Sequence, residues 1–440
     1  MKNLFISLTI LFSSFSATIA AEVPFNSFSG KSLNILIKTG YESSAITKYE
    51  SYFENVTGID LNIEVVDEPT LRKKIILDAT SKSGAYDIVA TQFWYMPEYI
   101  NIGYFENLNN LMKNKSLWYS IDDIPSGHLA TYKDKNNNLY AVPVSASGGV
   151  LMYRKDIFDK LSLKYPQNTS DVMDAAKVIK NKMKGEIVPF IGRGDSSSAS
   201  FGSSVGWAYA YGAKILKSNN EANANSAEMK RAMKDWVSLM KDYGPKDAAT
   251  MTWSTMGQMF VKGGAAMNFD MSGFPSYYMN PEVSKVAKNV GVTLLKGPSN
   301  NYAQWMYGEG LGISKYSTNK EAAWLFLQWR TSLQTAKKEI NDGLRNDIPI
   351  NTIFNSEVYK NKTTGDEFAK ILPHVLSSVD TSYWPNIAKF DKLAQTFQQQ
   401  ISLAISGDKN VNVALDQAQK DIKPISSAAT RSRTLPVVGA

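Results

Sequence analysis

The chain has 440 residues, 43% of them hydrophobic, with 48 basic and 41 acidic side chains and a formal net charge of +7. It contains two histidines and no cysteine, which excludes disulfides, zinc sites of the CxxC type, cysteine nucleophiles and multi-histidine metal centres. The basic residues are dispersed and form no run longer than the three at residues 72–74, so we expect a solvated surface of mixed charge and no nucleic-acid-binding stripe. A domain usually has roughly 100 to 200 residues, so this length favours two lobes.

Residues 1–21 have the pattern of a secretory signal peptide. A short positive start at residues 1–3 precedes an apolar run at residues 4–15, and small residues at 18–21 offer a cleavage site. The apolar run is shorter than the ~20 residues that span a bilayer, and no cysteine follows it to accept a lipid anchor. We therefore expect an exported, soluble protein in a periplasm.

Strand and helix patterns alternate after this leader. Apolar alternation predicts strands at residues 33–37, 59–66 and 86–90, and helical periodicity predicts one helix at residues 45–56 and another that begins at Pro69. The order strand, helix, strand, helix, strand implies a parallel sheet with right-handed crossovers. We expect the following helix residues to face inward: Ile46, Tyr49, Tyr52, Phe53, Leu71, Ile75, Ile76 and Ala79.

The carboxyl ends of these strands form the expected ligand-binding edge. Open parallel sheets bind ligands in the crevice beyond the carboxyl ends of their strands. Two segments fall at that edge, Tyr41-Glu42 after the first strand and residues 92–95 after the third. Both segments therefore supply candidate ligand contacts.

The remainder predicts a second sheet and a helical C-terminal part. Extended patterns occur at residues 140–144, 148–153, 187–191, 265–269, 290–295 and 308–313. Helical patterns occur at residues 154–161, 171–182, 203–211, 228–240, 256–261, 321–329, 333–340, 388–405 and 411–422. We expect the chain to change lobe between residues 140 and 154, and the segment from Lys423 onward to be a tail.

Four segments, in order along the chain, resemble a known family. Residues 86–108 contain YDIV, a tryptophan and GYFENL; residues 139–158 contain LYAVP and MYRKDIF. Residues 260–267 read FVKGGAAM, and residues 310–327 contain GLGI and KEAAWLFL. Their joint order and spacing resemble the extracellular solute-binding proteins of bacterial ABC importers, in the sugar-binding group that includes maltose-binding protein. The chain departs from that pattern at positions 264 and 265, where the family commonly has a lysine or glutamate.

The resemblance implies an α/β chain with the two-lobed periplasmic-binding-protein fold, a hinge and an interlobe ligand cleft. It implies a monomer that captures a sugar or polyol and delivers it to the transmembrane subunits of an ABC permease, with a cytoplasmic ATPase acting indirectly. Such a protein is not an enzyme and needs no cofactor. The implied division is a signal peptide at 1–21, a first lobe at 22–144 and 298–343, and a second lobe at 145–297 and 344–440, which ends in the tail.

Aromatic side chains are the first candidates for ligand contact, because a sugar presents C–H faces for stacking. Trp94 follows the third strand and matches the position of a sugar-stacking tryptophan in the family. Trp253, Trp305 and Trp207 lie in polar, loop-flanked contexts, where ligand contact and ordinary packing both remain open. The tryptophans at apolar helical positions are expected in the core: Trp236, Trp324 and Trp329.

Polar candidates surround the same predicted edges. Asp270 follows the strand at 265–269 and resembles the family position that faces the cleft, although a turn or cap role is equally open. Arg193 and Asp195 follow the strand at 187–191. The other polar candidates are Tyr41 and Glu42, Glu309 between two glycines, and Arg345 after Gly343.

Other ligands and one other class of protein stay open at this point. A polyamine would need acids beside aromatics, which Glu42, Asp270 and Glu309 supply in number. The pair Tyr277-Tyr278 is of the type that binds ferric iron through phenolate oxygens, or it simply packs. A secreted glycoside hydrolase would need only two carboxylates across a cleft. Within carbohydrates, a monosaccharide, a polyol and a short oligosaccharide all fit.

Overall fold

The computed structural model describes residues 26–113, 121–344, 347–362, 366–380 and 383–432. The predicted signal peptide lies outside these residues, as do Arg345 and the last eight residues. No helix in the described ranges carries an apolar stretch long enough to cross a membrane.

The described residues contain nine strands. They are β1 (Ser32–Lys38), β2 (Asp60–Val66), β3 (Ile88–Gln92), β4 (Ala141–Pro143), β5 (Gly149–Arg154), β6 (Val188–Ile191), β7 (Ala265–Met271), β8 (Val290–Thr293) and β9 (Glu309–Ile313). Each extended pattern in the sequence corresponds to one of them, within a few residues.

The helices pack around these strands. They are α1 (Tyr41–Thr57), α2 (Glu68–Ser81), α3 (Met96–Asn101), α4 (Leu108–Leu111), α5 (Ser126–Ala130), α6 (Lys155–Lys160), α7 (Thr169–Met183), α8 (Phe201–Tyr209), α9 (Ala227–Asp242), α10 (Trp253–Val261), α11 (Phe274–Tyr278), α12 (Lys320–Arg330), α13 (Leu333–Asn341), α14 (Glu357–Lys362), α15 (Asp366–Ser377), α16 (Phe390–Ser406) and α17 (Val411–Ser432).

The first sheet has the strand order β2-β1-β3-β9-β4. Strand β1 is parallel to both β2 and β3, as the alternating pattern predicts. Strand β9 inserts antiparallel between β3 and β4.

Residues at the helix ends fix where the chain crosses between the strands of this sheet. Helix α1 stops before Gly58, whose φ of 69° suits glycine. The Asp67 carboxylate caps α2 by accepting a hydrogen bond from the Thr70 amide at 2.7 Å.

The second sheet has the strand order β6-β7-β5-β8. Strand β7 is parallel to β6, and β5 is antiparallel to both β7 and β8. Helices α7, α9, α10 and α15 pack against this sheet, and α16 and α17 pack on α8 and α9. The chain therefore forms two α/β units, and each unit contains one of the two sheets.

Two connecting segments between the sheets bind one another. The chain passes from β4 to β5 through residues 144–148 and from β8 to β9 through residues 294–308. The Ser147 and Tyr307 backbones exchange two hydrogen bonds, at 2.8 and 3.2 Å, and the Ala146 amide donates to the Asp347 carbonyl at 2.9 Å. These bonds hold the connections between the sheets side by side.

Three expectations about the helices are wrong. Tyr52 and Ile76 are 48% and 36% exposed, because each lies at the edge of its helix's apolar face. The segment from Lys423 is no tail up to Ser432, since α17 continues through it with Ser426 buried. Helix α15 was not predicted because Pro373 lies inside it, and proline disfavours helix interiors.

His128 in α5 gives a pH-dependent contribution to folding. The side chain is 2% exposed, and burial lowers the pKa of His128 from 6.5 to about 4. Above pH 6.5 the imidazole is neutral in both folded and unfolded chains. As the pH falls from 6.5 towards 4, His128 becomes protonated in the unfolded chain but stays neutral in the folded chain. The free energy of unfolding therefore decreases.

We predict a loss of about 2 kcal/mol of stability between pH 7 and pH 4.5, since most of the pKa difference of about 2.5 is crossed in that range and each unit is worth about 1.4 kcal/mol. Urea unfolding of the wild type and of His128→Gln at pH 7 and pH 4.5 measures it. The variant should lose distinctly less stability than the wild type on acidification, because glutamine does not titrate. Equal losses would show that His128 does not cause the effect.

Candidate functional site

Aromatic side chains from distant parts of the chain meet beyond the carboxyl end of β3. The Trp94 ring centroid lies 5.7 Å from that of Tyr307 and 6.3 Å from that of Trp384, and Phe93 lies 5.1 Å from Trp384. Trp384 precedes α16, whose first residue Phe390 also contacts Trp94 at 6.3 Å. Three of these rings, Phe93, Trp94 and Trp384, line a small cavity of about 80 Å³ together with Thr131 and Met306.

A charged cluster lies next to this cavity on the first sheet. Lys38 ends β1, and its ammonium lies 2.6 Å from the Glu309 carboxylate, which begins β9. The Tyr307 hydroxyl donates to Glu309 at 2.6 Å and accepts from Lys38 at 3.2 Å. Burial opposes the charge on Lys38, but attraction to Glu309 and Glu68 outweighs it and raises the pKa of Lys38. Burial and the nearby Glu309 charge raise the pKa of Tyr307, so the phenol is neutral.

A second charged pair lies at the end of the second sheet. The Arg193 guanidinium donates to both Asp270 oxygens, at 2.8 and 2.7 Å, and both side chains are buried. Arg193 lies over the Trp305 ring, 4.6 Å from its centroid, and the Trp305 indole donates to the Ser203 hydroxyl at 2.8 Å. Burial raises the pKa of Asp270, and Arg193 opposes that rise. The pair holds Trp305 in a fixed orientation.

The two halves join through Trp305 and Tyr307, whose ring centroids lie 6.4 Å apart. The structure therefore brings together five of the predicted site residues, namely Trp94, Trp305, Glu309, Arg193 and Asp270. The arrangement offers aromatic faces for C–H groups and hydrogen-bonding groups at their edges. Such a site suits a small polar solute held between two lobes.

Two predicted candidates lie in cores. Glu42 is 1% exposed and accepts from Arg330 through both oxygens at 2.7 Å, while Arg330 also pairs with Glu339 at 2.7 Å. Trp207 is fully buried, with Trp236 and Phe269 each 5.8 Å away.

The other candidates make no ring contact with the aromatic cluster, or their side chains lie outside the described residues. Trp253 begins α10 with 56% of its surface exposed. Asp195 accepts from the Ser197 amide at 3.1 Å and from the Ser200 hydroxyl, which stabilises the turn before α8. Tyr41 begins α1, and its side chain lies outside the described part of the structure, as does Arg345.

Sequence reasoning missed several residues of the cluster. Trp384 carries no local signal, because it reaches Trp94 only through the tertiary fold. Lys38 ends a strand at the predicted edge, so the strand-end rule that selected Trp94 also applies to Lys38. Tyr307 lies two residues from Trp305, in the same polar, loop-flanked segment. Gln92 lies in the predicted crevice segment at residues 92–95, but nothing in the sequence distinguishes its amide from the other residues of that segment.

The tyrosine pair serves packing. The Tyr278 ring stacks on Phe260 at 4.3 Å, and its hydroxyl donates to Asn268 at 3.1 Å. Among the described residues no group of three or more histidine, aspartate or glutamate side chains is arranged to hold a metal ion. These contacts do not favour the iron-binding alternative.

Comparison with solved structures identifies the fold. A solute-binding protein of an ABC transporter from Agrobacterium radiobacter, in complex with ribitol, superposes with a TM-score of 0.79 at 24% identity, over 90% of this chain and 99% of that one. A counterpart from Agrobacterium vitis with bound D-mannitol gives 0.77 at 24% identity, over 92% and 100%. Maltose-bound MalE3 of T. maritima gives 0.77 at 18% identity, over 90% and 99%. The chain thus has the predicted two-lobed α/β fold of periplasmic binding proteins.

Sequence comparison identifies the family. The profile of the family described as bacterial extracellular solute-binding protein matches residues 38–337, and the chain belongs to that family. The chain is 24% identical to a mannitol-binding protein of Pseudomonas aeruginosa, over 83% of this chain and 86% of the relative. It is 22% identical to an erythritol/L-threitol-binding protein of Mycolicibacterium smegmatis, over 82% and 80%. The resemblance drawn from the four sequence segments is confirmed.

The buried triad of Glu42, Arg330 and Glu339 generates a prediction about stability. Replacing Glu42 with alanine leaves the Arg330 charge without one of its buried partners. Breaking a buried ion pair on one side typically costs about 3 to 5 kcal/mol. We expect the free energy of unfolding of Glu42→Ala, measured with urea, to fall by that amount.

The matched control is Arg231→Ala, which removes an exposed ion pair with Glu228 and should cost far less. The folded Glu42→Ala protein should retain its solute affinity, because Glu42 contacts α12 and not the aromatic cluster. A stability close to the wild type combined with a loss of affinity would instead place Glu42 in the ligand site.

Proposed function

We propose that this protein captures a small acyclic polyol between its two lobes, as the binding component of an ABC importer. The observation that carries the proposal is the meeting of Trp94, Tyr307 and Trp305 between the sheets, flanked by the pairs Lys38–Glu309 and Arg193–Asp270. Aromatic faces contact the C–H groups of such a solute, and the polar edges meet its hydroxyls.

The charge pairing favours a neutral solute. Lys38 is balanced by Glu309, and Arg193 by Asp270, at distances of 2.6 and 2.7 Å. A polyamine would need carboxylates whose charge is not already neutralised. An anionic sugar acid would need basic side chains whose charge is not already neutralised. Because both signs are paired, a polyol that carries no charge is the solute of best fit.

The cavity that Trp94 lines together with Phe93 and Trp384 favours a short solute by its size. Its volume of about 80 Å³ is well below the ~300 to 1,000 Å³ of sites for drug-sized ligands. An oligosaccharide would need more room. The names of the relatives that bind mannitol and erythritol or L-threitol, and the ribitol and D-mannitol complexes, support the same class of solute.

Capture follows from lobe closure. Contacts that both lobes make to one solute exist only when the lobes are closed, so binding shifts the population towards the closed form. The membrane permease then recognises that form and receives the solute. In this scheme the protein acts by binding alone, as a monomer without a cofactor.

The lobe division follows the two sheets. We assign residues 22–144 and 298–343 to the first lobe, because β1 to β4 and β9 share one sheet. We assign residues 145–297 and 344–440 to the second lobe, because β5 to β8 share the other sheet and α15, α16 and α17 pack on its layers. Residues 1–21 act as the signal peptide that directs the protein, without a lipid anchor, to the periplasm.

A ligand panel tests the proposal. Calorimetry and thermal unfolding of the mature chain, from residue 22, compare D-mannitol, ribitol and erythritol with maltose, spermidine and ferric citrate. We expect a polyol to raise the melting temperature, with about 2.7 kcal/mol of added stability at a hundred times its dissociation constant. A response only to spermidine, ferric citrate or maltose would contradict the proposal.

The Trp94→Ala variant tests the site itself. Loss of one stacking face should weaken polyol binding about tenfold or more. Trp253→Ala is the control, because Trp253 is exposed at the start of α10, and it should bind with wild-type affinity. Equal affinity losses in the two variants would contradict the placement of the site at Trp94.

A further inference from the structure

Gln92 is a buried amide without a hydrogen-bond partner at the carboxyl end of β3. The residue is 1% exposed, and neither its amide nitrogen nor its amide oxygen has a partner among the described residues. Native proteins satisfy the large majority of buried polar side-chain atoms, because an unpaired one costs free energy. A glutamine that has lost both kinds of partner therefore calls for a functional explanation.

The position of Gln92 links it to the proposed solute site. In the antiparallel pairing of β3 and β9, Gln92 lies directly opposite Glu309. Residues opposite each other share a face of the sheet, with Cβ atoms about 4.5 to 5.5 Å apart. The Tyr307 hydroxyl binds that same Glu309 at 2.6 Å, and Trp94 follows two residues after Gln92. The amide is thus a neighbour of the charged cluster, and the next residue in the chain, Phe93, lines the aromatic cavity.

Two further unpartnered hydroxyls lie around the same segment. Ser147 and Tyr132 are each 1% exposed, and their hydroxyl oxygens have no partner among the described residues. The Ser147 backbone pairs with that of Tyr307. The Tyr132 ring lies so close to Gly310 that a Cβ there would come within 2.5 Å of it. Neighbouring residues of a strand face opposite sides of the sheet, so Tyr132, which packs at Gly310, lies on the other side from Glu309 and Gln92. Ser147 lies opposite Tyr307 and shares its side. Two unpartnered groups, Gln92 and Ser147, therefore lie on the side of the segment that bears Tyr307 and Glu309.

These groups match one chemistry. An amide offers donors on nitrogen and an acceptor on oxygen, and each hydroxyl both donates and accepts. A vicinal diol has the same mixed character on adjacent carbons. A carboxylate or an ammonium ligand would use only half of such a set, because it only accepts or only donates.

We propose that Gln92, together with the Ser147 hydroxyl, forms a subsite that recognises a vicinal diol of the bound solute. This inference rests on the proposed function and refines it, since it makes Gln92 a determinant of specificity. The subsite selects neutral solutes with hydroxyls on adjacent carbons and discriminates against analogues that lack one of them.

The test is the isosteric substitution Gln92→Leu, with D-mannitol, ribitol and erythritol as probes. Leucine keeps the volume and removes both polar atoms. We expect calorimetry to show a loss of polyol affinity of roughly 10- to 100-fold. The melting temperature without solute should be equal or higher, because an unsatisfied buried amide has been removed. A merely structural role for Gln92 would instead lower the melting temperature.

The matched control is Gln328→Leu in α12. Gln328 is 4% exposed, and its amide oxygen also lacks a partner among the described residues, but it lies outside the proposed site. The affinity of the Gln328→Leu protein for polyols should stay within twofold of the wild type. If Gln92→Leu does not fold, Gln92→Asn, which shortens the same amide by one methylene, should show the same loss of affinity.

A deoxy analogue of the tightest polyol, with one hydroxyl replaced by hydrogen, completes the design. Wild-type protein should bind one such analogue much more weakly than the parent, and Gln92→Leu should bind that analogue and the parent with similar affinity. Wild-type affinity in Gln92→Leu would overturn the inference and leave the proposed function standing. Failure of the wild type to bind any of the polyols would overturn both.

Discussion

The extended segment that runs from the second sheet into β9 is the constraint on which the site depends. Alternate residues of an extended chain point to the same side, and Trp305, Tyr307 and Glu309 follow that spacing. The Trp305 indole binds Ser203 in α8, and the Glu309 carboxylate binds Lys38 in β1 of the first sheet. One short segment therefore presents three side chains to the interlobe space and links each lobe to it.

Close backbone approach makes this arrangement possible. A Cβ on Gly206 would lie 1.5 Å from the Gln304 carbonyl oxygen, and one on Gly149 would lie 2.6 Å from the Trp305 nitrogen. Only glycine fits at both places, because any side chain would displace the segment. These glycines set the position of Trp305 relative to the second sheet.

The two buried ion pairs position neighbouring side chains and contribute little to stability by themselves. Burying an ion pair costs desolvation energy that its own attraction repays only in part. The pairs Arg193–Asp270 and Lys38–Glu309 are therefore better explained as holders of neighbouring groups. Arg193 supports the Trp305 ring, and Glu309 orients the Tyr307 hydroxyl. Because the pairs are neutral overall, we propose that the pocket recognises the shape and hydroxyl pattern of its solute and not a net charge.

The strands and most helices followed from periodicity, because each sheet layer buries a regular apolar face. Trp94 followed from the rule that ligands bind beyond the carboxyl ends of parallel strands. The same rule selected Glu42, whose carboxylate instead binds Arg330, 288 positions away in the chain. Trp384 shows the converse, since it enters the cluster from the far end of the chain. Contacts between residues so far apart in the chain are set by the tertiary fold. They cannot be predicted from the local pattern of a single sequence.

The central claim is that a polyol lies between the lobes against Trp94, Tyr307 and Trp305. A crystal structure of the mature protein grown with D-mannitol tests this most directly. The account predicts electron density for the solute between the two sheets, with its carbon chain on these rings and a pair of adjacent hydroxyls at hydrogen-bonding distance from Gln92. Density at another surface, or a closed cleft with D-mannitol in saturating solution and no solute within it, would contradict the account.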